Sequence, residues 1–257
     1  INVRNGGIYY WDKTSGFAAR AVSLDSLAGS SRAPTIAKQI MVSDRDRHII
    51  AFGCDPEANA GVQDPLVIRF SSQESLTDWA STATNTAGEL RLGSGSEIVT
   101  AVETRQQILV YTDESLYAMQ FLGPPFTFGV NLVSENITTM GPLCAVAVED
   151  NVFWMGLKEF YVYGGTVQRL PCSVRDFIFD DFNLLQREKV VAATNTAFSE
   201  VWWFYPSASS SDNDRYVVYN YEQQVWYYGA LARSFWMDRG IFDNPIAAGP
   251  NNYLYTQ

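Results

Sequence analysis

The acids Asp44, Glu103 and Glu149 are the one set of chemistry-bearing residues in this chain whose spacing has an internal logic. Each falls just after a short apolar run, centred on Val42, Ala101 or Ala147. Carboxylates held together do acid–base work, bind divalent cations or present a negative surface. The first two roles need a partner carboxylate or further ligands at defined spacing, and none accompanies these three. They read as solvated turn residues on one face, with a negatively charged rim as the functional alternative.

The remaining candidates are weaker. His48 is the only histidine, set between the charged Ser43–Arg47 (SDRDR) and the apolar Ile49–Phe52. No motif ties a Ser, a Cys or a second His to it, so it is not read as catalytic. Asp176, Asp180 and Asp181 share one stretch, but no further ligand spacing supports a metal there. Ser209–Asp214 (SSSDND) has oxygen ligands yet lacks the Gly and distal Glu of a calcium loop. Cys54, Cys144 and Cys172 are far apart, odd in number and without a CxxC pair, which fits buried free thiols. Gly93–Ser96 (GSGS) has no following Lys and opens a strand, so it is no phosphate cradle. GxSxG and HExxH are absent. On this reading the chain is not an enzyme, and it has no catalytic, metal or cofactor-binding residues.

The elements that carry these residues repeat. Lys189–Arg233 parses into four short strands: Val190–Asn195, Glu200–Tyr205, Arg215–Tyr221 and Gln224–Ala230. Val, Tyr, Trp and Phe favour pleated surfaces, and the Pro and Ser/Asp clusters mark the breaks. The unit recurs at Gln39–Ala80, where LTDWA closes it, at Glu97–Val133 and at Leu143–Cys172. The small apolar centres of the first strands are Val42, Ala101, Ala147, Ala193 and Ala247, spaced by 59, 46, 46 and 54 residues. A four-stranded repeat of roughly 40–50 residues is the signature of a β-propeller. The expected fold is all-β, with five or more antiparallel four-stranded blades in one domain spanning residues 1–257. Gly7–Trp11 and Phe17–Val22 at one end, with residues 244–257 at the other, are expected to share a split blade. The chain is read as a segment of a longer protein.

Two segments interrupt the pattern. Ser81–Gly95 is too small and polar for a strand and reads as a link between blades. Ser173–Lys189 reads as a loop or short-helix insertion, with Phe177, Phe182, Leu184 and Leu185 on one side. Ala147 is expected to be buried on a crowded inner strand, so a glutamate there would bury an unpaired charge.

Composition sets limits. At 47% hydrophobic and 18% charged residues, the chain has the means for a large core. The net charge of −10 argues against a surface that grips nucleic acid, which needs clustered Lys and Arg. No run approaches the roughly 20 apolar residues of a membrane-spanning helix.

Several strings resemble a family of tailed-bacteriophage virion proteins. They are SDRDRHIIAFG, TATNTAGELRLGSGSEIV, AVETRQQILVYTDESLYAMQFLGPPFTFG, AVAVEDNVFWMG, FYVYGG, QRLPCSVRDFIFDDFN, EVWWFYPS and DRYVVYNYEQQVWYYGALAR, and they span most of Ser43–Arg233. The family includes the tail nozzle, or tubular tail protein B, of short-tailed phages, and is similar in role to tail hub or packaged-DNA stabilisation proteins. The resemblance implies a structural β-propeller in a homo-oligomeric ring, six subunits in the family, placed in the virion tail. It implies a tail adaptor protein and tail fibres as partners, and phage DNA passing through the lumen without specific binding. The alternative from another class is a host-receptor or glycan-binding propeller, a tail adhesin, lectin or glycosidase. That reading needs an aromatic platform, and Trp79, Trp154, Trp202, Trp203, Trp226 and Trp236 lie mostly in strand patterns that suit packing.

Overall fold

The computed structural model describes residues 1–257, which divide into two compact units, 1–137 and 138–257. Antiparallel strands dominate both.

Unit 1–137 contains three sheets. β1 (Tyr9–Tyr10) and β2 (Val22–Ser23) form a two-stranded ribbon. β3 (Gln39–Val42), β4 (Ile49–Phe52), β5 (Val67–Phe70) and β6 (Gly88–Arg91) form a four-stranded meander in chain order. β7 (Ile98–Glu103), β8 (Ile108–Thr112), β9 (Ser115–Gly123) and β10 (Thr127–Glu135) form a second. β4, β5 and β8 sit centrally, covered on both faces; β4 and β8 read as apolar runs because such a strand has no wet side, while β5 interrupts its run with Arg69, buried and donating to Trp79 O at 3.3 Å. Ile50, Ile68 and Phe70 meet Ile98, Val110, Tyr117 and Phe128 in the core between the two meanders. Ile8, Leu24, Ala51, Val67 and Trp79 fill a second core.

Unit 138–257 repeats the theme. β11 (Ala145–Val148), β12 (Asn151–Met155), β13 (Phe160–Tyr163) and β14 (Val167–Leu170) form one meander. β15 (Val191–Asn195), β16 (Glu200–Tyr205), β17 (Arg215–Asn220) and β18 (Val225–Ala230) form the next. β19 (Phe235–Met237), β20 (Ile246–Ala248) and β21 (Leu254–Thr256) make a three-stranded sheet. Period-2 alternation sorts the bulky residues of β16 between two cores. Val201, Trp203 and Tyr205 face β11–β14, where Phe153, Met155 and Phe160 lie. Trp202 and Phe204 turn the other way, toward Trp236. Flat rings fill these gaps: Phe160 and Trp203 have centroids 5.0 Å apart, and Trp202 stacks on Trp236 at 5.3 Å.

Several expectations change. The fourth strand after Val67–Phe70 is β6, inside the stretch read as a link, whereas LTDWA is a loop whose Trp79 is buried and donates its indole N–H to Leu76 O at 2.9 Å. A strand needs a partner edge more than propensity, and β5 supplies one to the polar Gly88–Arg91. The ends form separate sheets, β1–β2 and β19–β21. Ala247 lies on β20, the second strand of its sheet, so Trp236 on β19 holds the first-strand place. Val42 is exposed, and Ala147 is only half-buried, because alternation sends its neighbour Val146 into the core instead. The insertion contains α1 (Arg175–Asp180) and a 3-10 segment at Leu184–Lys189. Ile178 on α1 and Phe182, two residues past its end, are buried in the core of this unit, while Phe177, Leu184 and Leu185 are exposed.

Candidate functional site at the first-hairpin tips

In each meander a tight hairpin joins the first strand to the second, and the acids sit on these tips. Ser43–His48 closes through Ser43 N–H donating to His48 O at 2.9 Å and Arg47 N–H to Ser43 O at 2.9 Å. Arg47 takes a left-handed backbone, and its side chain forms an exposed ion pair with Glu74. The tip after β7 closes through Thr104 N–H to Gln107 O at 2.8 Å. Glu149 occupies the left-handed position of the two-residue turn between β11 and β12.

The Glu103 carboxylate accepts the backbone N–H of Asp44 at 3.0 Å, joining two neighbouring tips. Behind it, the Gln39 side chain copies a peptide group. Its Nε2 donates to Ala101 O at 2.8 Å and its Oε1 accepts Ala101 N–H at 2.9 Å. The Lys38–Glu97 ion pair lies beside them, with the lysine buried. Burial pushes the Glu103 carboxyl up, and the nearby charges of Asp44 and Asp46 add to the rise against the Asp44 hydrogen bond. Asp44 itself is exposed.

The same device recurs in 138–257 at a residue the sequence reading missed. Asp238 accepts Thr196 N–H at 3.0 Å and the Thr194 hydroxyl at 3.1 Å, tying the tip after β15 to the strand β19. Burial raises the Asp238 carboxyl, but hydrogen bonds from Thr196, Arg239 and Thr194 outweigh it and hold it below the usual range. The signal was present: Asp238 follows Trp236 by two residues, as Asp44, Glu103 and Glu149 follow Val42, Ala101 and Ala147. Taking Ala247 for the first strand hid it.

Indole N–H groups join the sheets on the same principle. Trp203 Nε1 donates to Cys144 O at 3.0 Å, Trp226 to Pro171 O at 2.8 Å and Trp236 to Thr194 O at 3.0 Å. Trp79, Trp154 and Trp203 are fully buried, and Trp236 nearly so. The half-buried Trp202 donates to Glu200, which also takes the Tyr227 hydroxyl. These carboxylates and indoles are engaged in holding strands together.

The other candidates fall into structural places. His48 is fully buried, its Nδ1 lies 2.7 Å from Ser71 O, and its ring packs edge-on to Phe128 at 5.1 Å. Burial pushes the Cys54 thiol up to about 12 and the Cys144 thiol up to about 11, far from a reactive thiolate. Cys172 is half-buried and likewise raised to about 11. Asp176 pairs with Arg175, and Asp181 with Arg215 at 3.6 Å. Asp212 and Asp214 of the SSSDND tip bind Lys189 and Ser207. No helix is long and apolar enough to cross a membrane.

No family model matches the chain, and no curated protein matches it. Solved structures do. Hsv2 from Kluyveromyces marxianus, a β-propeller, matches with a TM-score of 0.50 and 10% identity, over 85% of this chain and 62% of Hsv2. The extracellular domain of the putative one component system BT4673 from B. thetaiotaomicron matches with a TM-score of 0.57 and 10% identity, over 98% of this chain and 30% of that one. The AfRom2 CNH domain matches with a TM-score of 0.50 and 10% identity, over 98% of this chain and 79% of that one. The chain thus spans less than two thirds of the length of the first two. With the repeated antiparallel meanders, these likenesses define the class: the chain has a β-propeller fold.

Proposed function

We propose that this chain is a non-enzymatic structural subunit of a bacteriophage tail, part of a nozzle or hub ring around the channel through which the genome leaves. The observation that supports it best is the use of the tip carboxylates and the indoles. Glu103 and Asp238 bind backbone N–H groups of a neighbouring tip, and Trp203, Trp226 and Trp236 cap carbonyls of a neighbouring sheet. Polar groups tied down this way stiffen a scaffold and leave no free acid–base pair among them. The resemblance of the strings across Ser43–Arg233 supplies the tail setting, the self-assembly into a ring and the contacts to an adaptor and fibres. The net charge of −10 fits a wall past which DNA slides, because each phosphate neutralised by a cation adds affinity and friction.

Two measurements test this. The isolated protein should bind duplex DNA negligibly near physiological salt, and a particle carrying a labelled copy should show the label in the tail. Replacing Asp44, Glu103 and Glu149 together by their amides should not lower the melting temperature, since Glu103→Gln retains an oxygen for Asp44 N–H and removes a charge that burial disfavours, and should slow genome ejection from assembled particles. Unaltered ejection rejects the acidic rim. Tight, salt-sensitive DNA binding, turnover of a glycan, or a label absent from the tail rejects the proposal as a whole.

A further inference from the structure

A groove of about 390 Å³ lies at the tip end of the β11–β14 and β15–β18 meanders, of the size that holds a small ligand. Its floor is apolar and aromatic. Phe153 is buried, and Tyr221 lies nearly parallel to it, 6.1 Å between centroids and 25° between planes. Its rim is polar: Glu149, Asn151, Gln168, Arg169 and Gln224 line it, all exposed.

From this combination we infer that the groove binds an uncharged pyranose unit of a glycan. Three features select that chemistry. A pyranose has an apolar C–H face that lies on an aromatic ring and a hydroxyl edge that both donates and accepts. The rim matches the edge, since three amides supply donors and acceptors, Arg169 supplies donors and Glu149 supplies acceptors. The rim is also balanced, with one cation and one anion, so it favours neither an anionic nor a cationic ligand. The acidic chain repels polyanions besides. The inference does not depend on the tail setting, and it makes a site of Glu149 through its place in the groove.

The test uses the whole chain and a panel of methyl pyranosides and neutral oligosaccharides of glucose, galactose, mannose and N-acetylglucosamine, with sialic acid and glucuronic acid as charged counterparts. Ligand-observed saturation-transfer NMR and calorimetry read binding at up to about 10 mM sugar, the weak-affinity range. At least one neutral sugar should bind. Arg169→Ala and Gln168→Ala, both at exposed sites, should each weaken it by about threefold to tenfold, the loss of one hydrogen bond. Tyr221→Ala should abolish the transfer signal, while Tyr227→Ala, on the opposite face of the β15–β18 sheet, should leave it unchanged. Binding of none of the neutral sugars, stronger binding of the acidic ones, or affinity indifferent to Arg169, Gln168 and Tyr221 overturns the inference.

Discussion

Trp203→Phe gives the sharpest test of how the sheets of 138–257 are held together. Trp203 is fully buried, its ring lies 5.0 Å from Phe160 and 6.0 Å from Trp226, and its indole N–H reaches Cys144 O. Phenylalanine keeps the six-membered ring and removes the donor with the atoms around it. Complete truncation of a core tryptophan costs about 3–5 kcal/mol, so losing this part of the ring costs about 1–2 kcal/mol in packing. The hydrogen bond adds about 1 kcal/mol. The penalty for an orphaned acceptor is not added, because Cys144 O also accepts Met155 N–H at 3.2 Å. The sum is about 2–3 kcal/mol, a fall in melting temperature of about 4–12 °C for a chain of this size. Trp202→Phe is the control. It is the next residue, it faces the other side, it is half-buried, and its indole N–H meets a carboxylate beside Tyr227. It should cost less than half as much. Thermal melts followed by near-ultraviolet circular dichroism read both. Equal losses, or a larger loss for Trp202→Phe, would refute the assignment of faces on β16.

Two further predictions concern the alanines and the tip acids. Ala193→Glu should be severely destabilising, because it sets a charge among Phe204, Trp236 and Ala247, whereas Ala147→Glu on the half-buried face of β11 should be far milder; soluble yield and melting temperature rank them. The two inter-tip carboxylates should show opposite pH dependences. Asp238 has a depressed pKa, so its contribution is present above its ordinary value of 3.8 and is lost as pH falls through the folded value; Asp238→Asn should flatten the acid limb of the melting profile. Glu103 has a raised pKa, so its contribution is full below 4.5 and lost as pH rises through the folded value. Glu103→Gln, which keeps an acceptor for Asp44 N–H, should therefore gain on the unmodified chain at neutral pH relative to pH 4, and a gap that stays constant with pH would refute the assignment.

Legibility in the sequence tracked the reach of the interactions. The meanders were readable because each is local: EVWWFY, RYVVYN and VWYYGA announce strands and their neighbours within a few residues. Ala101 and Ala193 read correctly as buried first-strand centres. β6 was hidden because GELR is a strand only by virtue of β5, and Trp79 misled because aromatic bulk signals burial without signalling strand. β19 is three residues long, too short for periodicity to show, so the pattern points to Ala247 as the first-strand centre and passes over Asp238. The groove was not legible at all. Tyr221, Gln168 and Phe153 belong to different hairpins, and only packing of one meander against the next assembles them.

The indole and Asp238 fastenings between successive sheets of 138–257 have a direction. Trp203 and Trp226 reach from β15–β18 back to residues 144 and 171, and Trp236 and Asp238 reach from β19–β21 back to residues 194–196. In every case the group that makes the join is later in the chain than the group it meets. On a ribosome, where the chain emerges from its N-terminus, each sheet would leave the exit tunnel carrying the means to dock on one already folded. A nascent chain halted before Trp236 would have a finished β15–β18 sheet with the Trp202 ring uncovered, and that ring would be the natural foothold for a chaperone until the last sheet arrived.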